Sequence, residues 1–101
     1  MAELVVIFWR DIPSQIVAKA GRRQAKRLLT QRFVEAIDVA AMRAGLTESD
    51  AYLAEWRRAP PEPCGDDLEA EADAALARIE RDYDAARLAA LAQAGGREPA
   101  A

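Results

Sequence analysis

Histidine does not occur anywhere in the 101 residues. Its absence removes the commonest general base, the commonest protein metal ligand and every His-dependent catalytic triad. Cysteine occurs once, as Cys64. One thiol closes neither an intrachain disulfide nor a Cys/His zinc site, and a chain with no disulfide framework fits a cytoplasmic setting. The glycines offer no phosphate-binding loop, because Gly21 stands alone and Gly95-Gly96 lies near the chain end. Leu4 to Trp9 is a six-residue apolar run, far below the ~20 residues needed to span a bilayer. It lacks a basic leader and a small-residue cleavage site, so the chain reads as soluble, unprocessed and without a membrane role. These absences lead to an expectation of no enzymatic activity, no catalytic residue, no cofactor and no metal.

Large core-forming side chains are also few. Hydrophobic residues make up 51% of the chain, but many are alanine. The expected core rests on Leu4, Trp9, Ile16, Leu28, Phe33, Val34, Ile37, Leu53, Trp56 and a few others. A thin core of this kind suggests a homodimer or a larger partner.

What the chain does have is sorted charge. Seven cations, Arg10, Lys19, Arg22, Arg23, Lys26, Arg27 and Arg32, lie in a stretch whose only acid is Asp11. Residues 1–43 carry a balance of +4 and residues 44–101 a balance of −7, within a net charge of −3. Such sorting makes a local field that an anionic partner can feel. The alternative is that the basic and acidic halves pair with each other.

Leu4 to Trp9 is β-branched and aromatic with both alternating faces apolar, which predicts a strand covered on both sides, or covered on one side by its own helices and on the other by a partner. Arg10 to Ser14 reads as a turn, and Gln15 to Ala20 as the second strand of a hairpin, the rival reading being a helix that begins at Pro13. A lone hairpin is marginal, so Leu4 to Trp9 is expected to be paired or capped by a second copy or a partner. Gly21 marks the change into Arg22 to Arg27, read as helical. There Arg22, Arg23, Lys26 and Arg27 form a stripe of cations whose forks suit phosphate and carboxylate oxygens.

Thr30 is a candidate N-cap, Phe33, Ile37, Ala40, Ala41 and Ala44 recur at helical spacing, and Gly45 sits where a left-handed terminator belongs. Thr47 is a second candidate N-cap, followed by a helix with Tyr52, Leu53 and Trp56 on one face. Pro60-Pro61-Glu62-Pro63 reads as a stiff connector. Leu68, Ala72, Ala75, Leu76, Ile79, Tyr83, Ala86 and Ala90 form the stripe of one long acidic helix. The fold expected is α+β: a short N-terminal β-hairpin followed by two or three helices, the last long. The divisions are a core at 1–58, a Pro-rich connector at 59–65, a helix at 66–94 and a disordered tail at 95–101.

Trp9-Arg10-Asp11 and Trp56-Arg57-Arg58 invite two readings: arginines stacked on paired tryptophans, or ordinary core packing. Cys64 in its Pro-Cys-Gly loop is a reactive thiol only if its surroundings lower its pKa.

The stretch from Val5 to Arg58 resembles the small bacterial proteins of the virulence factor family, which are similar to the terminal domain of conserved virulence factor C proteins. The pieces that carry the resemblance are Trp9-Arg10-Asp11-Ile12-Pro13, Gly21-Arg22-Arg23, Arg32-Phe33, Ala36-Ile37-Asp38, Ala41-Met42 with Gly45, and Ser49-Asp50-Ala51-Tyr52. Residues 59–101 carry no such likeness and read as particular to this branch. Relatives of this kind tend to be encoded beside one-carbon genes. The resemblance therefore implies a small accessory subunit of a methylenetetrahydrofolate reductase-like or corrinoid methyltransferase enzyme.

The expected function is a non-enzymatic adaptor that binds an anionic or protein partner through Arg10, Arg22, Arg23, Lys26 and Arg27. Trp9, Asp11, Phe33, Tyr52 and Trp56 are the expected structural or interface residues. The alternative is a nucleic-acid-binding protein.

Overall fold

Leu4 to Trp9 does form a strand, and that strand is central to the sheet. The computed structural model describes residues 1–46 and 50–98. Strand β1 (Glu3–Trp9) pairs antiparallel with β2 (Ile12–Ala20), and β2 pairs antiparallel with β3 (Arg23–Leu28). On its other edge β1 pairs with β4 (Trp56–Arg58) and with β5 (Glu62–Pro63). The order is β3-β2-β1-β4, with β5 also on β1. The α+β class is as expected, and the hairpin is the first part of a five-stranded sheet. The second partner that β1 required comes from the chain's own later residues.

Two features differ from the sequence reading near the basic segment. Arg22 to Arg27 is not helical, because Arg23–Leu28 is the strand that completes the long, largely buried β2. Its weak strand propensity is overridden by that pairing. The turn between them is the two residues Gly21-Arg22, with Gly21 at φ +60°, a conformation glycine adopts at little cost.

Helix α1 (Gln31–Ala44) starts after Thr30 and ends at Gly45, φ +69°, as expected. Leu46 N–H donates to Ala41 O and Gly45 N–H to Met42 O, the paired bonds of a Schellman terminus. Thr30 occupies the cap position, yet its hydroxyl does not cap the helix. Its N–H and O–H both donate to the Glu80 carboxylate, and Arg32 donates to Glu80 as well. Thr47 lies outside the described residues.

The next helix, α2 (Asp50–Ala54), is short; Trp56 leaves it to enter β4, and Leu53 faces solvent at 62% exposure. The single long helix is two, α3 (Leu68–Asp82) and α4 (Ala85–Gln93), making four helices among the described residues. Asp67 and Asp84 cap them by accepting the N–H groups of Ala70 and Arg87. The break has a geometric reason. On an unbroken helix Leu88 would sit nine residues past Ile79, half a rotation off the buried stripe. The break at Tyr83-Asp84 turns Leu88, Leu91 and Ala92 inward beside Leu68, Ala72, Ala75 and Ile79.

All four helices end up serving one core. Leu4, Val6, Ile16, Ala18 and Ala25 project from one sheet face into it. The alanines at 40, 72 and 75, none of them exposed, allow close approach of the helices. Phe33, Ile12, Ile16 and Leu91 are the large buried anchors with Trp9, each apolar side chain contributing about 1.5–3 kcal/mol on burial. Leu28 and Val34, expected in the core, are 73% and 44% exposed. Among the described residues no helix is long and apolar enough to cross a membrane.

Candidate partner-binding surface

Strand geometry takes the predicted cationic stripe apart. Neighbouring residues on a strand point to opposite faces, so Lys26 and Arg27 part company. Arg27 turns toward α3, donating from Nε to Asp73 at 2.7 Å and from Nη2 to Glu69 at 3.0 Å. The hydrogen bonds to Asp73, and then to Glu69, raise its pKa further. Its guanidinium is therefore neutralised by the acidic half of the chain. Arg10 is also engaged within the fold. Its Nη1 donates to Gly95 O at 3.0 Å and its Nε lies 3.4 Å from Glu55. Arg22, Arg23 and Lys26 are exposed, and among the described residues no ion pair involves them.

The Trp9-Arg10-Asp11 segment is a junction of the fold. Trp9 Nε1–H donates to Tyr52 O, and the Trp9 and Tyr52 rings are 5.4 Å apart. Tyr52 meets Trp56 edge-on, and Trp56 sits opposite Trp9 across β1 and β4. Arg10 lies over the Trp9 ring, while Arg57 stacks on Phe8 at 4.6 Å and not on a tryptophan. The packing reading therefore holds, while of the stacking reading only Arg10 over Trp9 is present, and among the described residues the two tryptophan rings meet through Tyr52 and not directly. Asp11 accepts from Arg57 Nη2 and from Glu98 N–H, and its own N–H donates to Gly96 O. The expected disordered tail is docked here as far as Glu98, and Arg87 Nη2 holds Glu98 at 2.9 Å; residues 99–101 lie outside the described residues. Phe33 is fully buried, with Arg32 over its ring, so its role is packing.

The sheet face turned away from the helices is exposed only in part. Val5, Ile7, Gln15, Val17, Lys19, Gln24, Lys26, Leu28 and Arg58 share it by register. Val5 and Val17 lie opposite each other outside the helix-side core and are themselves buried, at 2% and 4% exposure, whereas Leu28 is largely exposed. Ile7, Ser14, Gln15, Leu28 and Trp56 line a shallow concavity of about 640 Å³ rimmed by Arg57 and Arg58. Lys19, Lys26 and Arg58 have no ion pair among the described residues. Sequence reasoning missed Arg58, Ile7 and Leu28 as surface partners. The signal was the apolar second face of β1, already visible in Val5 and Ile7.

Cys64 is partly buried against the core. Burial, and then the carboxylates of Glu71, Asp66 and Glu3, push its thiol pKa up. The surroundings are the reverse of those that activate a nucleophile. Alkylation of the folded protein by iodoacetamide at pH 7.5 is expected to be slower than that of free cysteine. A rate equal to or above free cysteine would contradict this environment.

The chain belongs to the family described as "Virulence factor", whose model matches residues 7–92. The match runs from β1 into α4, so the family likeness does not stop at residue 58. Residues 59–92 belong to the shared domain, which fits their role in supplying β5 and the helices over the sheet. No curated protein and no solved structure matches the chain.

Proposed function

We propose that this protein is a non-enzymatic adaptor that docks an acidic protein partner on its open sheet face. The observation that carries the reading is the combination on that face of exposed Leu28 and half-buried Ile7 and Trp56 with the cations Lys19, Lys26 and Arg58, which have no ion pair among the described residues. Apolar contact supplies affinity, and a cationic rim selects an acidic partner and speeds encounter. The lack of histidine and the raised pKa of Cys64 support a binding role over a catalytic one. Arg22 and Arg23, at the β2–β3 tip, extend the same cationic field. Through the family resemblance, the partner we propose is an enzyme of one-carbon metabolism, methylenetetrahydrofolate reductase-like or a methyltransferase.

The test is retention of such an enzyme from the native cell by the wild-type chain and by a Lys26→Glu/Arg58→Glu variant. Arg43→Glu, on the exposed surface of α1, serves as a control. Loss of about tenfold or more in affinity for the double variant alone, with circular dichroism unchanged, is the expected result. Equal retention by all three would remove the open face as the site. Binding to RNA or DNA that falls steeply between 50 and 200 mM salt, about a thousandfold or more for a protein making 6–10 phosphate contacts, would instead establish the nucleic-acid reading.

A further inference from the structure

Strand β3 ends the sheet, and its outer edge has unpaired main-chain groups. In a two-residue hairpin the residues flanking the turn exchange both main-chain bonds, here Ala20 and Arg23. Arg23, Ala25 and Arg27 therefore direct their N–H and C=O groups to β2. Gln24, Lys26 and Leu28 direct theirs away from the sheet. Leu29 N–H donates to Ser14 O, continuing the same alternation. One outward group is covered: Arg27 Nη1 donates to Lys26 O at 2.8 Å. Among the described residues, the main-chain groups of Gln24 and Leu28 and the Lys26 N–H meet no other partner.

Charge decides what such an edge accepts. Arg22, Arg23 and Lys26 stand along it, exposed and, among the described residues, without ion pairs. Two copies joined edge to edge through β3 would oppose these cations, and like charges placed across a strand pair are destabilising. Charged edges commonly guard a sheet against ordinary strands in this way. A strand bearing carboxylates reverses the sign: the same cations that reject a second copy attract it.

We propose that β3 accepts an extended acidic segment of a partner, added as a further strand at the sheet edge. This rests on the acidic-partner reading above and adds the mode of binding. Lys26 and Leu28, shared by the edge and the open face, make the two contacts continuous.

The experiment uses an acetylated, amidated ten-residue peptide of alternating glutamate and valine. A second peptide of the same sequence carries N-methyl groups on alternate amides, which keep its charge and block strand pairing. The full chain is titrated with both at low salt. The expected result is binding of the first peptide, a loss of at least about tenfold with the second, and slowed amide exchange at Gln24, Lys26 and Leu28. Gln24→Pro is the matching protein variant. The Gln24 N–H points away from β2, so proline there keeps the β2–β3 ladder and blocks the edge. It is expected to keep the wild-type melting temperature and lose at least about tenfold in peptide affinity.

Equal binding of the two peptides, abolished together by Lys26→Glu, would overturn strand addition while leaving acidic docking in place. Absence of binding by the unmethylated peptide would also overturn strand addition. The docking surface itself then stands or falls on retention of the native partner.

Discussion

Trp9→Ala is expected to destabilise the protein by about 3–5 kcal/mol, a large share of the roughly 5–15 kcal/mol that holds a domain together. The indole is wholly buried and sits where four segments meet. Tyr52 packs on its ring and accepts its N–H, Gly96 lies against its edge, and Arg10 lies over it. Removing it leaves a cavity and takes from the Tyr52 carbonyl one of its hydrogen bonds, the Glu55 N–H still donating to it. Trp9→Phe keeps most of the packing and loses the hydrogen bond, so its expected cost is about 1–2 kcal/mol. Urea denaturation followed by circular dichroism checks both. A Trp9→Ala midpoint close to wild type would show that the junction does not support the fold as described.

The second large effect comes from the other side of the same contact. Gly96 has φ +91°, and a Cβ there would stand 2.9 Å from Cζ3 of Trp9 and 3.3 Å from Cβ of Arg10. Gly96→Val therefore meets both a conformational penalty and a collision with a ring that has nowhere to move. The expected loss is about 2–4 kcal/mol, a fall in melting temperature of roughly 10–20 °C. Gly95→Ala is the comparison. Its φ of +72° carries a cost, but the nearest atoms to a new Cβ are 3.6 Å away, so about 1–2 kcal/mol is expected. If the two substitutions cost the same, the close approach to Trp9 contributes nothing. If both are neutral, the docking of residues 95–98 does not stabilise the domain.

These two predictions also decide how the most recognisable residues are read. Trp9, Arg10 and Asp11 look like a functional motif in the sequence. In the fold they lock the β1–β2 turn to α2, β4 and the chain end, and Arg10 itself sits at φ +53°, uncommon for a residue with a side chain. Arg10 is thereby removed from the set of cations open to a partner.

How far the sequence could be read depended on whether the information was local. The strand at Leu4 to Trp9 and the helix from Gln31 to Gly45 were legible because β-branched composition, helical spacing and a terminal glycine are local signals. The strand at Arg23–Leu28 was not. Its residues favour no strand, and only the demand of β2 for a second neighbour puts them there. The division of Lys26 from Arg27 follows from that one difference, since a helix keeps adjacent cations on one side and a strand separates them. Trp56 was legible as a core-type residue but not as a strand residue, because its partner, Trp9, is distant in sequence. The α3–α4 break had a local sign, Asp84 as a cap with Leu88 and Leu91 out of phase with Ile79. The alanine-rich stripe, continuing through Ala86 and Ala90, masked it.

Internal neutralisation therefore takes part of the basic segment and spares the rest. Arg27 belongs to the fold through Glu69 and Asp73, while its neighbour Lys26 belongs to the surface. The most direct test makes the same change at both positions, Lys26→Glu and Arg27→Glu, and follows melting temperature and partner retention in parallel. Lys26→Glu is expected to leave the melting temperature near wild type and to weaken partner binding by about tenfold or more. Arg27→Glu is expected to lower the melting temperature, through repulsion from two carboxylates, and to leave binding by the folded protein intact. Partner binding that survives Lys26→Glu but is lost in a fully folded Arg27→Glu protein would contradict the account.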